Sequence, residues 1–587
     1  MRLKQLDIEN FRRIQKTSIH FAPSTFIVGP NNTAKSSVIA ALDALLSLER
    51  EKLTQIDIHE RPDGSRAEKT TITAYFSNIP PDVAAGRGFR GRVVDDQYVY
   101  RKTLTIDSTK PKIETRQFRS AVKAKYQNVK SVGDLLAAGI SAELIKEALG
   151  PIKPEEKLVK DWYKSFPDTL KFDTTSPPEW VENPGGIPQN VLSRLPRLIH
   201  IPALTEAKEI ESDDRRYALG ECLSLLFEDL MAANPLADEI QGKLNELEKQ
   251  MNPADDDSLI FLLVQSINRI IGEVFPKCGI AIEPSLQDLL EILKPKYDIK
   301  VFSNIRTGAM RQGTGLIRTC AFAMLRYHAK LKLSKDLQTR PVVVAFEEPE
   351  LFLHPSAANL LRDTIYSLGA SDQIVCTTHS PWMIDLSQDP QSITRMRLTE
   401  NEVSEAVNYG VSSALGKLPQ DDRTRVKMLQ MFDDELSRVF FAERVVIVEG
   451  DSEILAIKQT LRVLPEEERK LVSARFQVVK ARGKASIISL VKYLRELQID
   501  VRVMHDGDFG VAGAERFNAP IAAALGDSRR LVVLNPNLEH TMGYPPPKSD
   551  KPYLAFLKAG SWSKPTDVPE AWREAMRVLF EIEWSDL

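Results

Sequence analysis

Arg444-Val-Val-Ile-Val-Glu449-Gly450-Asp451-Ser452-Glu453, answered further along by Val501-Arg-Val-Met-His-Asp506-Gly507-Asp508, is the pair of segments from which the rest of this chain can be read. Four β-favouring residues in a row at 445–448 predict a strand buried on both faces of a parallel sheet. Glu449 then falls where that strand ends, at the edge where open α/β sheets collect ligands. Residues 501–504 repeat the pattern, with Asp506 and Asp508 just past the strand. An Asp-x-Asp loop sets two hard oxygen ligands about one metal ion apart, and Glu449 and Glu453, spaced across a helix start, supply an opposing face. Such a cluster suits Mg²⁺ or Mn²⁺ and phosphoryl chemistry. Either acidic segment alone reads more readily as a solvated turn; two of them, each after an apolar strand, point to metal.

This pattern resembles the Toprim domain of topoisomerases, primases and certain nucleases, whose marks are a strand-terminal Glu and a later Asp-x-Asp. A further strand, Leu531-Val-Val-Leu534, leads through Asn-Pro-Asn-Leu to Glu539, a candidate additional ligand. Gly483-Lys484, after a strand at 476–479, offers backbone and charge to a substrate phosphate.

At 587 residues the chain is too long for one core and is expected to hold two to four domains. A net charge of -3 gives no global basic signature, so any affinity for nucleic acid must come from local patches. No apolar run approaches a membrane span and the first residues lack the apolar core of a signal peptide, so a cytoplasmic protein is expected. Cys222, Cys278, Cys320 and Cys376 show no C-x-x-C spacing, which argues against zinc and against a disulfide framework.

The N-terminus carries a second site. After a strand at 25–28 comes Gly29-Pro-Asn-Asn32-Thr-Ala34-Lys35-Ser36-Ser37 and then an apolar helix pattern. This nearly matches the phosphate-binding loop G-x-x-x-x-G-K-[ST], whose backbone N–H groups wrap phosphates at a helix N-terminus, whose Lys meets the β/γ charge and whose hydroxyl meets Mg²⁺. Asn32, Lys35, Ser36 and Ser37 are the expected nucleotide-binding residues. Ala34 replaces the second glycine; it leads into the helix and is expected to take helical angles.

The loop has distant partners. Pro341-Val-Val-Val-Ala-Phe-Glu347-Glu348-Pro-Glu350 is an apolar strand running into carboxylates, and a strand at 373–378 delivers His379. The order is similar to that of ABC-type ATPases, and this resemblance implies that Glu347 holds Mg²⁺, Glu348 polarises the attacking water and His379 senses the γ-phosphate. Glu347 stands where Asp is more usual. Gly313, Thr314 and Gly315 sit where such ATPases carry a signature loop that closes over a partner subunit's nucleotide, although the usual Leu-Ser-Gly-Gly is missing; a plain helix cap is the alternative.

An ABC-type ATPase head split by a helical insertion and followed by a C-terminal Toprim (Rossmann-like) domain is an α/β arrangement that resembles the OLD (overcoming lysogenization defect) family of ATP-dependent endonucleases, including the nuclease subunit of Gabija-type phage defence. The expected organisation is an ATPase first part at 1–105, a mixed insertion at 106–204, a helical module and candidate dimerisation surface at 205–294, an ATPase second part at 295–400, a helical linker at 401–440 and a Toprim nuclease domain at 441–587. The resemblance implies ATP-regulated cleavage or nicking of DNA, with Glu449, Glu453, Asp506, Asp508 and Glu539 binding metal, two ions of Mg²⁺ or Mn²⁺ in that site and one with ATP. It also implies a lysine that stabilises charge on the phosphate: Lys551, with Lys548 as rival. Implied partners are DNA, a second copy or a higher homo-oligomer, and a helicase or other defence protein, with no membrane. A non-catalytic DNA-binding ATPase of repair or partition, and a nuclease acting on RNA, stay open as alternatives.

Overall fold

The computed structural model describes most of residues 1–203 and 340–584, and between them mainly residues 218–274 and 300–335. Two compact units result: Met1–His200 with Arg340–Leu587, and Ile201–Thr339.

Three sheets organise the first unit. An antiparallel sheet runs in the order Ile14–His20, Arg2–Phe11, Lys69–Ser77, Tyr98–Thr105, Lys112–Gln117, Glu179–Glu182. A second sheet runs in the order Arg197–Ile201, Val342–Glu347, Gln373–Thr377, Ser24–Val28, Gln391–Leu398, Ser404–Tyr409. Its four inner strands are parallel, and the last pair is antiparallel. Helix Lys35–Leu46 buries Val38, Ile39, Leu42 and Leu45 in one core with Leu6 and Ile72 of the first sheet and Ile27, Val375 and Met396 of the second. The three inner strands that matter, Ser24–Val28, Gln373–Thr377 and Val342–Glu347, are neighbours in parallel register, so the segments that follow them emerge at one edge.

The third sheet is all parallel, in the order Phe476–Lys480, Arg444–Val448, Asp500–Asp506, Leu531–Leu534. Val446, Val448, Met504, Val532 and Leu534 share a core with helices Asp451–Thr460, Lys551–Gly560 and Glu570–Phe580. Val445, Ile447, Val501 and Val503 are equally buried but outside that core, which puts them on the opposite face, where helix Lys484–Glu496 packs. Covering both faces explains why these strands read as unbroken apolar runs rather than alternating ones.

Two expected boundaries shift. The sheet does not end near Leu398: Ser404–Tyr409, expected within a helical linker, adds an antiparallel edge strand, and helices follow only from Val411. Within the expected insertion at 106–204, Lys112–Gln117 and Glu179–Glu182 extend the antiparallel sheet and Arg197–Ile201 forms an edge of the second. These are short strands at sheet margins; Lys112–Gln117, Glu179–Glu182 and Ser404–Tyr409 carry little apolar signal, and Arg197–Ile201, though more apolar, is too brief to stand out in the sequence.

In the second unit, helices Ala218–Ala232, Pro235–Gln250, Leu259–Val274 and Thr314–Lys335 accompany a small hairpin, Lys300–Phe302 with Arg306–Gly308. Among the described residues, no helix is long and apolar enough to cross a membrane.

Candidate functional sites at two sheet edges

The phosphate-loop candidate occupies residues 29–34, between strand Ser24–Val28 and helix Lys35–Leu46. Gly29 has φ +142°, and a Cβ there would lie 2.2 Å from the Met396 carbonyl oxygen, so only glycine fits. Ala34 departs from expectation. Instead of helical angles it has φ 72° and ψ 22°, the left-handed conformation that a glycine would adopt freely. The loop geometry is kept and the alanine bears its strain, about 1–2 kcal/mol for a residue with a Cβ.

Lys35 is buried, and its Nζ donates to the carbonyl oxygens of Gly29 (2.9 Å) and Pro30 (2.7 Å), within its own loop. Burial holds its ammonium down to about 8, against the opposing charge of Glu348. Ser36 and Asn32 are exposed, Asn32 with φ 64°, and Ser37 is half-buried in the first helical turn. No acidic residue stands in that turn, leaving the positive end of the helix open to phosphate.

Facing the loop, Glu347 ends its strand with a carboxylate oxygen 3.8 Å from His200 Nε2. Glu348 follows at φ 43°, its backbone N–H donating to the Thr377 carbonyl at 2.9 Å. This kinked residue places its carboxylate 3.4 Å from His379 Nε2. Burial and the Lys35 charge hold the imidazole of His379 below its ordinary value, with Glu348 opposing. Lys35, Glu348 and His379 therefore act on one another electrostatically at one edge.

Gly313 lies outside the described residues. Thr314 begins helix Thr314–Lys335 in the second unit, with Gly315 in its first turn.

The C-terminal sheet gathers acids at the corresponding edge. Glu449 follows strand Arg444–Val448, Asp506 ends strand Asp500–Asp506, Asp508 follows at φ 50°, and Glu539 lies in the short helix Leu538–Thr541 beyond strand Leu531–Leu534. Glu453, 5% exposed in helix Asp451–Thr460, accepts from the Gly450 N–H at 3.1 Å. The Asp loop is pinned from beneath: Gly507 N–H donates to the Leu534 carbonyl (2.7 Å) and Asp508 N–H to that of Pro536 (2.9 Å). Asp506 Oδ1 accepts from the Leu538 N–H at 2.8 Å.

The electrostatics are those of crowded, desolvated like charges. Burial first, then Glu453, Glu449, Asp508 and Glu539, push the Asp506 carboxyl up to about 7. Burial, with Glu449 and Glu539 adding, pushes Glu453 up to about 6, and burial and Asp508 raise Glu449. Glu449 Oε2 and Glu539 Oε2 are buried without a hydrogen-bond partner. Orphaned buried carboxylate oxygens beside three further carboxylates are a hard-oxygen donor set that fits a divalent cation. Among the described residues no three acids already converge on one point as metal ligands would. Lys484 Nζ, 2.7 Å from Asp508 Oδ2, engages one of the five. Lys551 begins helix Lys551–Gly560 with its Nζ 3.6 Å from Glu539 Oε1, which puts it beside the acids.

The chain matches two domain families. Residues 1–384 match the AAA ATPase domain family, and residues 440–508 match the TOPRIM domain of proteins like the overcoming lysogenization defect protein. The chain belongs to this ATPase family and carries an OLD-like TOPRIM domain. Similar proteins include the Old nuclease of Escherichia phage P2, 23% identical over 87% of this chain and 78% of its own length, and Endonuclease GajA of Bacillus cereus (strain VD045), 22% identical over 80% and 69%. The OLD nuclease of Thermus scotoductus is 30% identical over 40% of this chain and 47% of its own. Among solved structures, similarity extends to an SMC head bound to the C-winged helix domain of ScpA, over 71% of this chain and 100% of that one, at 16% identity and TM-score 0.36.

Both edges hold residues that reading the sequence missed. In the ATPase domain, Glu350 accepts from Thr378 Oγ1 (2.6 Å) and the His379 N–H (3.3 Å), steadying the histidine backbone; burial raises its own carboxyl. It is the third acid of Glu-Glu-Pro-Glu, and the signal was present. In the TOPRIM domain, Tyr544 has a buried hydroxyl without a hydrogen-bond partner, pushed up to about 12 by burial and by Glu539, Asp506 and Glu453. Lys484, read as a substrate-phosphate contact, is instead 5% exposed and paired with Asp508.

Proposed function

We propose that this chain is an ATP-regulated, divalent-metal-dependent DNA endonuclease or nickase of the OLD type, working in anti-phage defence in the cytoplasm. The observation that carries this reading is the five-carboxylate edge of the TOPRIM domain, with the buried unpartnered oxygens of Glu449 and Glu539 and an Asp506 carboxyl raised by burial and by its acidic neighbours. A structural role gives no reason to bury carboxylate oxygens without hydrogen-bond partners, since each costs on the order of 1–3 kcal/mol.

In this reading Glu449, Glu453, Asp506, Asp508 and Glu539 hold two ions of Mg²⁺ or Mn²⁺, which supply a lowered water pKa and charge neutralisation at the scissile phosphate. The Leu538 N–H and the pinned Asp loop orient the Asp506 and Asp508 carboxylates, and Lys551 meets the charge that builds on the phosphate oxygens. At the other edge Asn32, Lys35, Ser36 and Ser37 bind ATP with one Mg²⁺ at Glu347, Glu348 orients the attacking water and His379 meets the γ-phosphate. Gly313, Thr314 and Gly315 serve the nucleotide of a second copy in a homodimer or higher homo-oligomer, and a helicase or other defence protein is a further partner.

The segment between the two domains makes contacts with each of them. Ser437 Oγ donates to the carbonyl of Pro381, two residues past His379, at 2.9 Å. Asp422 accepts at 2.7 Å from both Ser489 Oγ and Lys492 Nζ of helix Lys484–Glu496, whose first residue sits among the acids. Nucleotide-dependent movement of the His379 segment has a route here to the nuclease edge. The test is incubation of the purified full chain with supercoiled plasmid or with RNA, in Mg²⁺, Mn²⁺ or chelator, with and without ATP. Metal-dependent nicking of the plasmid that disappears in Glu449→Ala is expected; cleavage of RNA alone, or plasmid cleavage unaffected by that change, overturns the reading.

A further inference from the structure

Lys484 occupies a position that two physical costs should disfavour. It is 5% exposed, so its ammonium is largely stripped of water, and it is the first residue of helix Lys484–Glu496, where the unpaired N–H groups already carry positive charge. What offsets both is the acid edge. Its Nζ lies 2.7 Å from Asp508 Oδ2 and 3.2 Å from Asn518 Oδ1, and its charge also acts on Glu449. Asn518 closes the arrangement: its Nδ2 donates to the Gly507 carbonyl at 2.7 Å. One buried cation thus clasps the Asp506-Gly507-Asp508 loop from the side, holding a carboxylate that the nuclease reading assigns to metal.

We propose that Lys484 is a built-in cation of the TOPRIM edge that competes with the divalent metal for Asp508, steadying the metal-free acids and raising the metal concentration the site needs. The inference rests on the nuclease-site reading given above and adds to it a positioning residue and a setting of metal affinity. It separates cleanly from a merely structural lysine by the sign of one effect. A lysine that only holds the Asp loop in shape weakens metal binding when removed, because Asp508 is loosened. A competing cation strengthens it, because a unit positive charge leaves the ion's neighbourhood and Asp508 becomes free.

The size follows from Coulomb's law: one unit charge acting on a divalent ion at about 5 Å through a water-like dielectric changes affinity roughly tenfold. The experiment titrates Mn²⁺ into metal-free full-length protein without nucleotide or DNA, reading bound ion by electron paramagnetic resonance, alongside thermal melts in chelator. Lys484→Met is expected to bind Mn²⁺ about tenfold more tightly than the wild type while its metal-free form melts at lower temperature, and Lys484→Arg to stay within about twofold. Mn²⁺ affinity unchanged or weakened in Lys484→Met overturns the inference.

Should Lys484→Met fail to fold, Asn518→Ala, which removes the second hold on the ammonium, is expected to tighten Mn²⁺ binding a few-fold, and no tightening there overturns the inference as well. Mn²⁺ uptake that is absent in the wild type, or that persists in Glu449→Ala, removes the nuclease-site reading and this inference with it. Uptake lost in Glu449→Ala yet unmoved in Lys484→Met removes the inference alone.

Discussion

The ATPase edge and the TOPRIM edge are built alike and charged differently. Both lie where parallel strands end, and both place glutamates directly after an apolar strand. At the ATPase edge positive or protonatable groups stand opposite the acids: His379 faces Glu348, His200 faces Glu347, and Lys35 adds its charge to the same group. At the TOPRIM edge five carboxylates meet Lys484 and Lys551, and oxygens of Glu449 and Glu539 have no partner. One edge is prepared for an anion and the other for a cation. That follows from ordinary rules of charge burial: a buried lysine beside helix N–H groups gains from a polyphosphate, and crowded buried acids gain from a divalent metal.

The contrast predicts a crossed pair of losses, the largest effects expected. Lys35→Ala removes a charge-assisted contact to phosphate and should weaken nucleotide binding by roughly ten- to a hundredfold while Mn²⁺ uptake without nucleotide is unchanged. Glu449→Ala should do the reverse, abolishing Mn²⁺ uptake with nucleotide affinity intact. Nucleotide binding by fluorescence and Mn²⁺ binding by paramagnetic resonance read both; a single substitution that damages both sites equally breaks the comparison.

A smaller effect concerns pH. The Asp506 and Glu453 carboxyls are raised in the folded protein to about 7 and about 6, so between about pH 4 and 7 the folded state holds more protons than the unfolded chain. Metal-free stability from these groups therefore falls as pH rises through that window. Melts in chelator should show Asp506→Asn losing less Tm between pH 5.5 and pH 8 than the wild type, with Mn²⁺ restoring more of the wild-type Tm at pH 8; an equal or larger loss in the variant contradicts the crowded-acid picture.

The smallest effect returns to the phosphate loop. Ala34→Gly relieves a left-handed residue with a Cβ and should stabilise the protein by about 1 kcal/mol, less the added freedom of the unfolded chain. A thermal melt checks it, and a lower Tm would deny the strain at Ala34.

Much of this was legible because strands buried on both faces announce themselves as apolar runs: residues 445–448 and 501–504 gave two strand ends, and the acids at those ends followed. Three things were not legible, each for a physical reason. The backbone of Ala34 depends on how the loop closes against its sheet, and helical propensity alone suggested the wrong angles. The edge strand Ser404–Tyr409 pairs with a single strand of its sheet, and its polar sequence carries little signal. The burial of Lys484 depends on Asp508 and Asn518, which are distant in sequence, and a Gly-Lys pair at a helix start reads as an exposed phosphate contact until the fold brings those partners over it.

The most direct test of the central claim, that the TOPRIM acids form the metal-dependent cutting site, is plasmid nicking by Asp506→Asn in Mn²⁺. The change keeps the shape of the side chain and its acceptor for the Leu538 N–H while removing the charge at the centre of the cluster. The account predicts no conversion of supercoiled to open-circular plasmid above background, by protein that still melts cooperatively and still binds ATP. Nicking at the wild-type rate by that variant would contradict it.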